Sequence, residues 1–382
     1  MTAVIYTRSA ILYLGIGPNE CSFTTEDLEV HGEAFFLESP DRPLVWRELE
    51  LPEPGPGEVV VEVAACGLCH TDLSFASGSV APRHALPLVL GHEVTGWVAA
   101  AGEGAELLLW QPVLVPAVLP CGDCSFCRSG RSNICPNQKM PGNDIHGGFA
   151  THLLVPGRFV VPLDEAPDGL SIEDIAVVSD AVSTAFQAVR RSGLRPGDAA
   201  FVVGAGGVGA FVVQIARALG ARVVACDVQS DRLDLVARHG AEVTVVTASR
   251  EERELRRELQ GIARDWDVPS VCWRIFETSG TPEGQSLSFA LLAPAATMVQ
   301  VGFTPAKVTV RLSNLMAFDA TVHGSWGCPP EVYSEVLDLI YREDVLLSPF
   351  VEHAPMEELN RLLDDMAQHR LSRRMILRPG RT

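Results

Sequence analysis

Residues 199–229 read AAFVVGAGGVGAFVVQIARALGARVVACDVQ. Ala199 to Val203 form an unbroken apolar run, the pattern of a strand buried on both faces. Gly204, Gly206 and Gly209 then stand in G-x-G-x-x-G spacing, with Gly207 and Val208 between the last two. From Val208 to Leu219 the apolar residues recur at helical spacing, and Gly220 suits the helix end. A second apolar run, Ala221 to Cys226, ends at Asp227. A glycine pattern alone is a weak signal. Between a strand and a helix, with an acid closing the next strand, it predicts a dinucleotide site. The glycines let the backbone approach a pyrophosphate, and the helix amino end favours its charge. Asp227 can accept hydrogen bonds from the adenosine ribose hydroxyls and would repel a 2′-phosphate, so NAD is expected over NADP. The plainer alternative is a glycine-rich βα turn in an α/β domain that binds nothing.

A second stretch, CGDCSFCRSGRSNIC at 121–135, carries Cys121, Cys124, Cys127 and Cys135, four of the ten cysteines in the chain. A disulfide framework would spread through a small secreted domain. Four thiolates in one loop instead suit a single tetrahedral Zn²⁺, with an iron–sulfur cluster as the competing reading. Because protein fills all four positions, such a site is structural. ACGLCHTDLS (65–74) and LVLGHEVTG (88–96) supply a different set: Cys69, His70, Thr71 and Asp72, then His92 and Glu93. Cysteine and histidine from separate segments, backed by carboxylates, suit a zinc that keeps a position open.

The totals set outer limits. A chain of 382 residues suggests two domains. A net charge of −18 argues against general nucleic-acid binding. No apolar run approaches the length that spans a bilayer. The amino terminus, MTAVIYTRSAILYLGIG, weakly resembles a signal peptide but lacks a small-residue cleavage site. Residues 1–30 are therefore expected to be a poorly ordered extension of a cytoplasmic protein.

Together these features resemble the zinc-dependent medium-chain alcohol dehydrogenases, over about residues 31 to 380. The resemblance implies an α/β plus β architecture, a GroES-like catalytic domain interrupted by a Rossmann domain. The catalytic domain would span 31–184, with the structural-zinc lobe at about 116–140. The Rossmann domain would span 185–325, and 326–382 would return to the catalytic domain, with the active site in the cleft. By matching positions, Cys69, His92 and Asp180 are implied as ligands of a catalytic zinc, with Glu93 able to exchange as a ligand. Asp72 would orient His92, and Thr71 would relay the substrate proton. His70 and Arg374 would meet the pyrophosphate, and Arg232 would lie near the adenosine ribose. The four clustered cysteines match the structural-zinc lobe, giving two zincs per subunit beside NAD.

Two positions depart from the general family. Asp180, in VVSDAVSTAF, stands where many members have a third cysteine ligand; its other reading is a helix cap. Ser74 stands where some members end their proton relay in histidine. Both departures agree with a narrower resemblance, carried by QKMPGN, GGFATH, SDAVSTAFQAV, VRLSNLMAFDA, WGCPPEVY and LSRRMIL. These segments resemble the 6-hydroxycyclohex-1-ene-1-carbonyl-CoA dehydrogenases, which oxidise a cyclic allylic alcohol carried as a CoA thioester. The expected partners are thus a small-molecule alcohol or ketone, as a CoA thioester or free, and a second copy of the chain in a dimer or tetramer. A catalytically silent NAD-binding scaffold is the reading from another class.

Overall fold

The computed structural model describes residues 31–380 except 165 and 168. The extension expected at 1–30 lies outside the described residues. The chain divides into two compact units. One takes the chain as far as Asp180 and again from Val351, and the other is Ala181–Phe350.

The first unit is β-rich. Strands β1 (His31–Leu37) and β2 (Val45–Glu50) pair antiparallel, and β4 (Leu88–Val89) extends that sheet. A seven-stranded sheet is built around β3 (Glu58–Gly67). Its other strands are β5 (Glu93–Ala101), β6 (Pro112–Val115), β7 (His152–Pro156), β8 (Val161–Pro162), β15 (Val351–Pro355) and β16 (Arg374–Arg378). Helix α1 (His70–Ala76) follows β3, and the single turn α2 (Ser125–Arg128) lies inside the cysteine segment. Val59, Val61 and Val63 alternate along β3 into one buried core with Val94 and Val98 of β5, as a half-covered sheet requires. Strand β16 pairs with β3 through Ile376 and Leu377, which brings the end of the chain beside Cys66 and Gly67.

The second unit holds a six-stranded parallel sheet in the order β11–β10–β9–β12–β13–β14. The strands are β9 (Ala199–Val203), β10 (Arg222–Asp227), β11 (Val243–Val246), β12 (Trp273–Glu277), β13 (Thr297–Gln300) and β14 (Thr321–Gly324). Every residue of β9 is buried, as the apolar run predicts. The order reverses between β9 and β12, and ligands of such sheets bind at the carboxyl ends beside that reversal. Helix α3 (Ala181–Ser192) opens the unit and packs on α4 (Gly209–Ala218). In α6 (Glu252–Asp265), Leu255, Leu259 and Ala263 recur on one buried stripe among charged residues. The outer helices are α5 (Ser230–Arg238), α7 (Pro282–Ala290), α8 (Ser313–Phe318), α9 (Tyr333–Tyr341) and, back in the first unit, α10 (Leu359–Ala367).

Both boundaries differ from the expected 184/185 and 325/326. The chain crosses at Asp180/Ala181 because α3 belongs wholly to the second unit. It returns only at Val351, because residues 326–350 are built into that unit's core. Tyr333 is fully buried and its hydroxyl accepts from Ser183 Oγ at 3.1 Å. Gln214 of α4 clamps Leu346 from both sides, donating to its carbonyl at 3.1 Å and accepting from its N–H at 2.9 Å. Phe350 packs on Phe211 and His239.

Candidate active site and metal centres

The four clustered cysteines converge. Their Sγ atoms stand 3.5 Å apart for Cys124–Cys127 and Cys121–Cys135, 3.7 Å for Cys124–Cys135 and 3.9 Å for Cys121–Cys127. A tetrahedron of thiolates about 2.3 Å from a central zinc has edges of about 3.8 Å, so the spacing is that of a single ion. Disulfide sulfurs would lie near 2.05 Å, and a multi-iron cluster would spread its thiolates over separate metal atoms. Backbone N–H groups of Asp123 and Cys124 donate to Cys121 Sγ and pull its thiol down to about 6. Desolvation pushes Cys127 up to about 12. A dication between the sulfurs is what allows all four to ionise together. Gly122 and Gly130, both at positive φ, turn the chain around the lobe.

A second donor group lies within the first unit. Cys69 Sγ is 3.8 Å from Asp180 Oδ2, and His92 Nε2 is 3.6 Å from the same oxygen. The three donor atoms lie within 4.8 Å of one another. Sulfur, nitrogen and oxygen around one zinc would stand about 3.4–3.6 Å apart, so the triad fits a slightly relaxed metal site. His92 is 1% exposed, yet neither ring nitrogen makes a hydrogen bond of ordinary geometry. Burial opposes a charge on this ring, but Asp72 and the Cys69 thiolate outweigh it and raise His92 well above its ordinary pKa. An imidazole held between two anionic donors suits a cation shared among all three.

One residue places two of these donors. Asp72 Oδ2 accepts from the N–H of Cys69 at 2.9 Å, and Oδ1 accepts from Gly91 N at 3.1 Å. The same Oδ1 lies 3.3 Å from His92 Nδ1, the arrangement that fixes the tautomer of a metal-bound histidine and leaves Nε2 for the metal. Asp72 also makes a reciprocal cap at the start of α1, which is why the ligand loop ends where it does. Thr71 Oγ1 stands 3.7 Å from Cys69 Sγ. Ser74 Oγ donates to His70 O at 3.0 Å, back into its own helix.

Glu93 is not part of the donor group. Its Oε2 accepts from Arg374 Nε at 2.8 Å and its Oε1 from Arg374 Nη2, a bidentate pair buried on both sides. Burial pushes the Glu93 carboxyl up while Arg374 pulls it back down. Both oxygens are engaged by a fixed guanidinium, which sets this carboxylate apart from the Cys69–His92–Asp180 group. Gly67 makes room for the pair, since a Cβ there would lie 2.0 Å from Glu93 Oε2. The structure thus places Arg374 on Glu93, and His70 as the exposed first residue of α1. Nothing in the sequence pairs residues 281 positions apart.

In the second unit the glycine turn has the predicted form. Gly204 lies at φ +99°, and a Cβ there would meet the backbone of Ser279 at 2.5 Å. A Cβ on Gly209 would lie 1.8 Å from Gly204 O. At Gly206 the nearest atom is Arg232 Nη1 at 3.5 Å, so that position faces open space. Gly207 and Val208 complete the turn into α4, with Val208 as its cap residue. Asp227 accepts from Ala205 N at 2.7 Å and Gln229 N at 2.9 Å, and Arg232 Nη1 lies 4.0 Å from its Oδ2. Sequence reasoning missed Glu277. Fully buried at the end of β12, it accepts from Ser279 N (2.9 Å), Gly280 N (3.1 Å) and Gln300 Nε2 (2.7 Å). It thereby holds the loop whose Thr278 Oγ1 donates to Gly204 O at 2.6 Å. An acid closing a buried strand, in FETSG at 276–280, was the available signal.

Over residues 55–165 the chain matches the family described as alcohol dehydrogenase GroES-like domain, and over 207–342 that described as zinc-binding dehydrogenase. It is 29% identical to an alcohol dehydrogenase of Geobacillus stearothermophilus, across 91% of this chain and 99% of that one. An NAD-dependent alcohol dehydrogenase of Sulfolobus acidocaldarius is 30% identical over 91% of this chain and 99% of its own. Among solved structures, acetophenone reductase from Geotrichum candidum in complex with NAD matches with a TM-score of 0.78 at 26% identity, covering 92% of this chain and 98% of that one. The likeness spans both units, and each carries the constellation its match leads one to expect. The chain belongs to the zinc-dependent medium-chain alcohol dehydrogenase family and is an NAD-dependent oxidoreductase of that family.

Proposed function

We propose that the protein oxidises 6-hydroxycyclohex-1-ene-1-carbonyl-CoA to 6-oxocyclohex-1-ene-1-carbonyl-CoA, a cyclic allylic alcohol carried as a CoA thioester. The observation that carries this reading is Asp180, whose carboxylate stands with Cys69 and His92 where many members of the family have cysteine. Ser74, turned back into its helix, is the second shared departure.

In this reading Cys69, His92 and Asp180 would hold a zinc that would supply Lewis-acid stabilisation at the substrate oxygen, and the glycine turn would hold an NAD that would supply the hydride acceptor. Thr71 relays the hydroxyl proton: its Oγ1 accepts that proton by hydrogen bond as its own proton passes onward to solvent. Asp72 keeps Cys69 and His92 in register and the imidazole in the tautomer that presents Nε2. Two anionic donors and a neutral imidazole balance a dication, and the Glu93–Arg374 pair beside them adds no net charge. Gly204, Gly206, Gly207, Val208 and Gly209 cradle the pyrophosphate. Asp227 takes the ribose hydroxyls beside Arg232.

The cognate test follows NADH absorbance with the thioester, its free acid and simple cyclic alcohols. Turnover confined to the thioester supports the reading, and turnover confined to free alcohols refutes it. The second reading, a dehydrogenase of free cyclic, allylic or benzylic alcohols, draws on the likeness to an acetophenone reductase, named for a ketone that bears no thioester.

We further propose a cytoplasmic homo-oligomer. Five thiolate donors need a reducing compartment to hold metal. The edge strand β14 presents exposed Val322, with Leu312, Met316 and Trp326 exposed in the flanking segments, a surface suited to a second copy. Sedimentation of wild type against Val322→Lys tests it: an unchanged oligomer would exclude this edge.

A further inference from the structure

The segment that delivers Asp180 is fastened more heavily than a connecting turn requires. At its start, Ser171 and Asp174 close a capping box. Ser171 N and Oγ donate to Asp174 Oδ2 at 3.2 and 2.8 Å, and Asp174 N donates back to Ser171 Oγ at 3.2 Å. The other carboxylate oxygen, Oδ1, accepts from His353 Nε2 at 2.8 Å. His353 comes from β15, 179 positions later in the chain. A continuous 3₁₀ helix then runs Asp174–Ser179 and ends on Asp180. Its far end is also pinned. Ser179 Oγ accepts from Val94 N at 3.1 Å and donates to Val94 O at 3.2 Å, and Ala117 N donates to Ser179 O at 3.1 Å. Val94 is two residues beyond the donor His92. The 3₁₀ helix is therefore a strut of about 10–12 Å, at roughly 2 Å per residue, with its carboxyl end beside the metal donors.

We propose that His353 is a positioning residue for the catalytic metal. Through Asp174 it sets the direction of the strut whose last step presents the Asp180 carboxylate. The inference rests on the reading of Asp180 as a metal donor. Metal sites tolerate donor displacements of only about 0.2 Å, so a strut whose start keeps its local cap but loses its tie to β15 is enough to matter. Groups hydrogen-bonded directly to a metal ligand commonly change metal affinity by about 10–100-fold; His353 acts one step further out, through the strut, so the lower end applies. The His353 side chain is 28% exposed, so its removal opens no buried cavity that would confuse the result.

The test uses the full zinc-loaded chain as wild type, His353→Ala, His353→Gln and Asp180→Asn. Metal retention is measured against graded chelator, and the absorption of cobalt placed at the Cys69–His92–Asp180 site is recorded beside the Tm. His353→Ala should release that metal about tenfold more readily and shift the cobalt bands, with the four-cysteine metal retained. His353→Gln should restore both, since its amide N–H can reach Asp174. If His353→Ala lowers only the Tm, or weakens both metals alike, the inference is wrong while Asp180→Asn still loses the metal. If Asp180→Asn leaves affinity and spectrum untouched, the donor reading falls and takes the inference with it.

Discussion

Gly206 and Gly209 belong to one motif, but the structure assigns them different work, and alanine at each separates the two. At Gly209 a Cβ would lie 1.8 Å from Gly204 O and 2.7 Å from Thr278 Oγ1. Ordinary contact begins near 3.4 Å, so the start of α4 must retreat from the turn by about 1.6 Å. Overpacking costs about 1–3 kcal/mol in side-chain cores, and here the obstacle is backbone, so the upper end applies. The helix propensity of alanine returns about 1 kcal/mol, for a net loss of about 2 kcal/mol. With a urea slope of about 1–3 kcal/mol/M, the unfolding midpoint of Gly209→Ala should fall by roughly 1 M. At Gly206 the added methyl meets nothing closer than 3.5 Å, and the midpoint should not move. That methyl would instead stand where the pyrophosphate approaches, and NAD affinity should drop at least tenfold, about 1.4 kcal/mol. Urea titration without cofactor and calorimetric NAD titration measure the two quantities. A Gly206→Ala protein that binds NAD as well as wild type, or unfolds as early as Gly209→Ala, would refute the reasoning.

Four further outcomes are expected. Cys124→Ser should cost one metal per chain and lower the Tm, because metal binding at that lobe contributes folding free energy; plasma emission and calorimetry check it. Arg374→Ala should destabilise by about 3–5 kcal/mol, since it leaves Glu93 buried without its counter-charge, and Arg374→Ala combined with Glu93→Gln should recover part of that loss in the same urea assay. Asp227→Gly should narrow the preference for NAD over NADP, read from the ratio of kcat/KM values. His152, lowered by burial to about 4, is neutral in the native protein while the unfolded chain protonates near 6.5. The unfolded state therefore binds more protons in that window, and stability is lost as pH falls from about 7 towards 4. His152→Gln should remove up to about 3 kcal/mol of that loss, and equal acid sensitivity of the two proteins would count against it.

Much of the architecture was legible because its signals are local. The apolar runs around Gly204, Gly206 and Gly209 define strand, turn and helix by pattern alone, and the strands and turn form as read. The cysteine spacing likewise predicts convergence within one lobe. Asp180 was legible only by resemblance, since one aspartate before a helix reads equally as a cap. Its place beside Cys69 is a matter of distance in the fold, which no local pattern encodes. The pairing of Glu93 was hidden for a related reason: its partner Arg374 arrives on the last strand and takes both oxygens. The return at 326 was placed too early because a crossover leaves no compositional mark. Tyr333, Leu346 and Phe350 join the second core through contacts with residues more than a hundred positions away.

The hydrogen bond between Asp174 and His353 has a consequence in chain entropy. It joins a residue just before the chain leaves the first unit to one just after it comes back. The two mouths of the excursion are thus fastened to each other by contacts within the host unit. Closure of a long loop costs only about 0.6 kcal/mol more for each doubling of its length, and here a local clasp shares in meeting that cost. The host unit is therefore nearly indifferent to how much chain is threaded between Asp180 and Val351. Lengthening, trimming or exchanging the intervening segment is a change the first unit should scarcely feel, so long as the clasp stays shut.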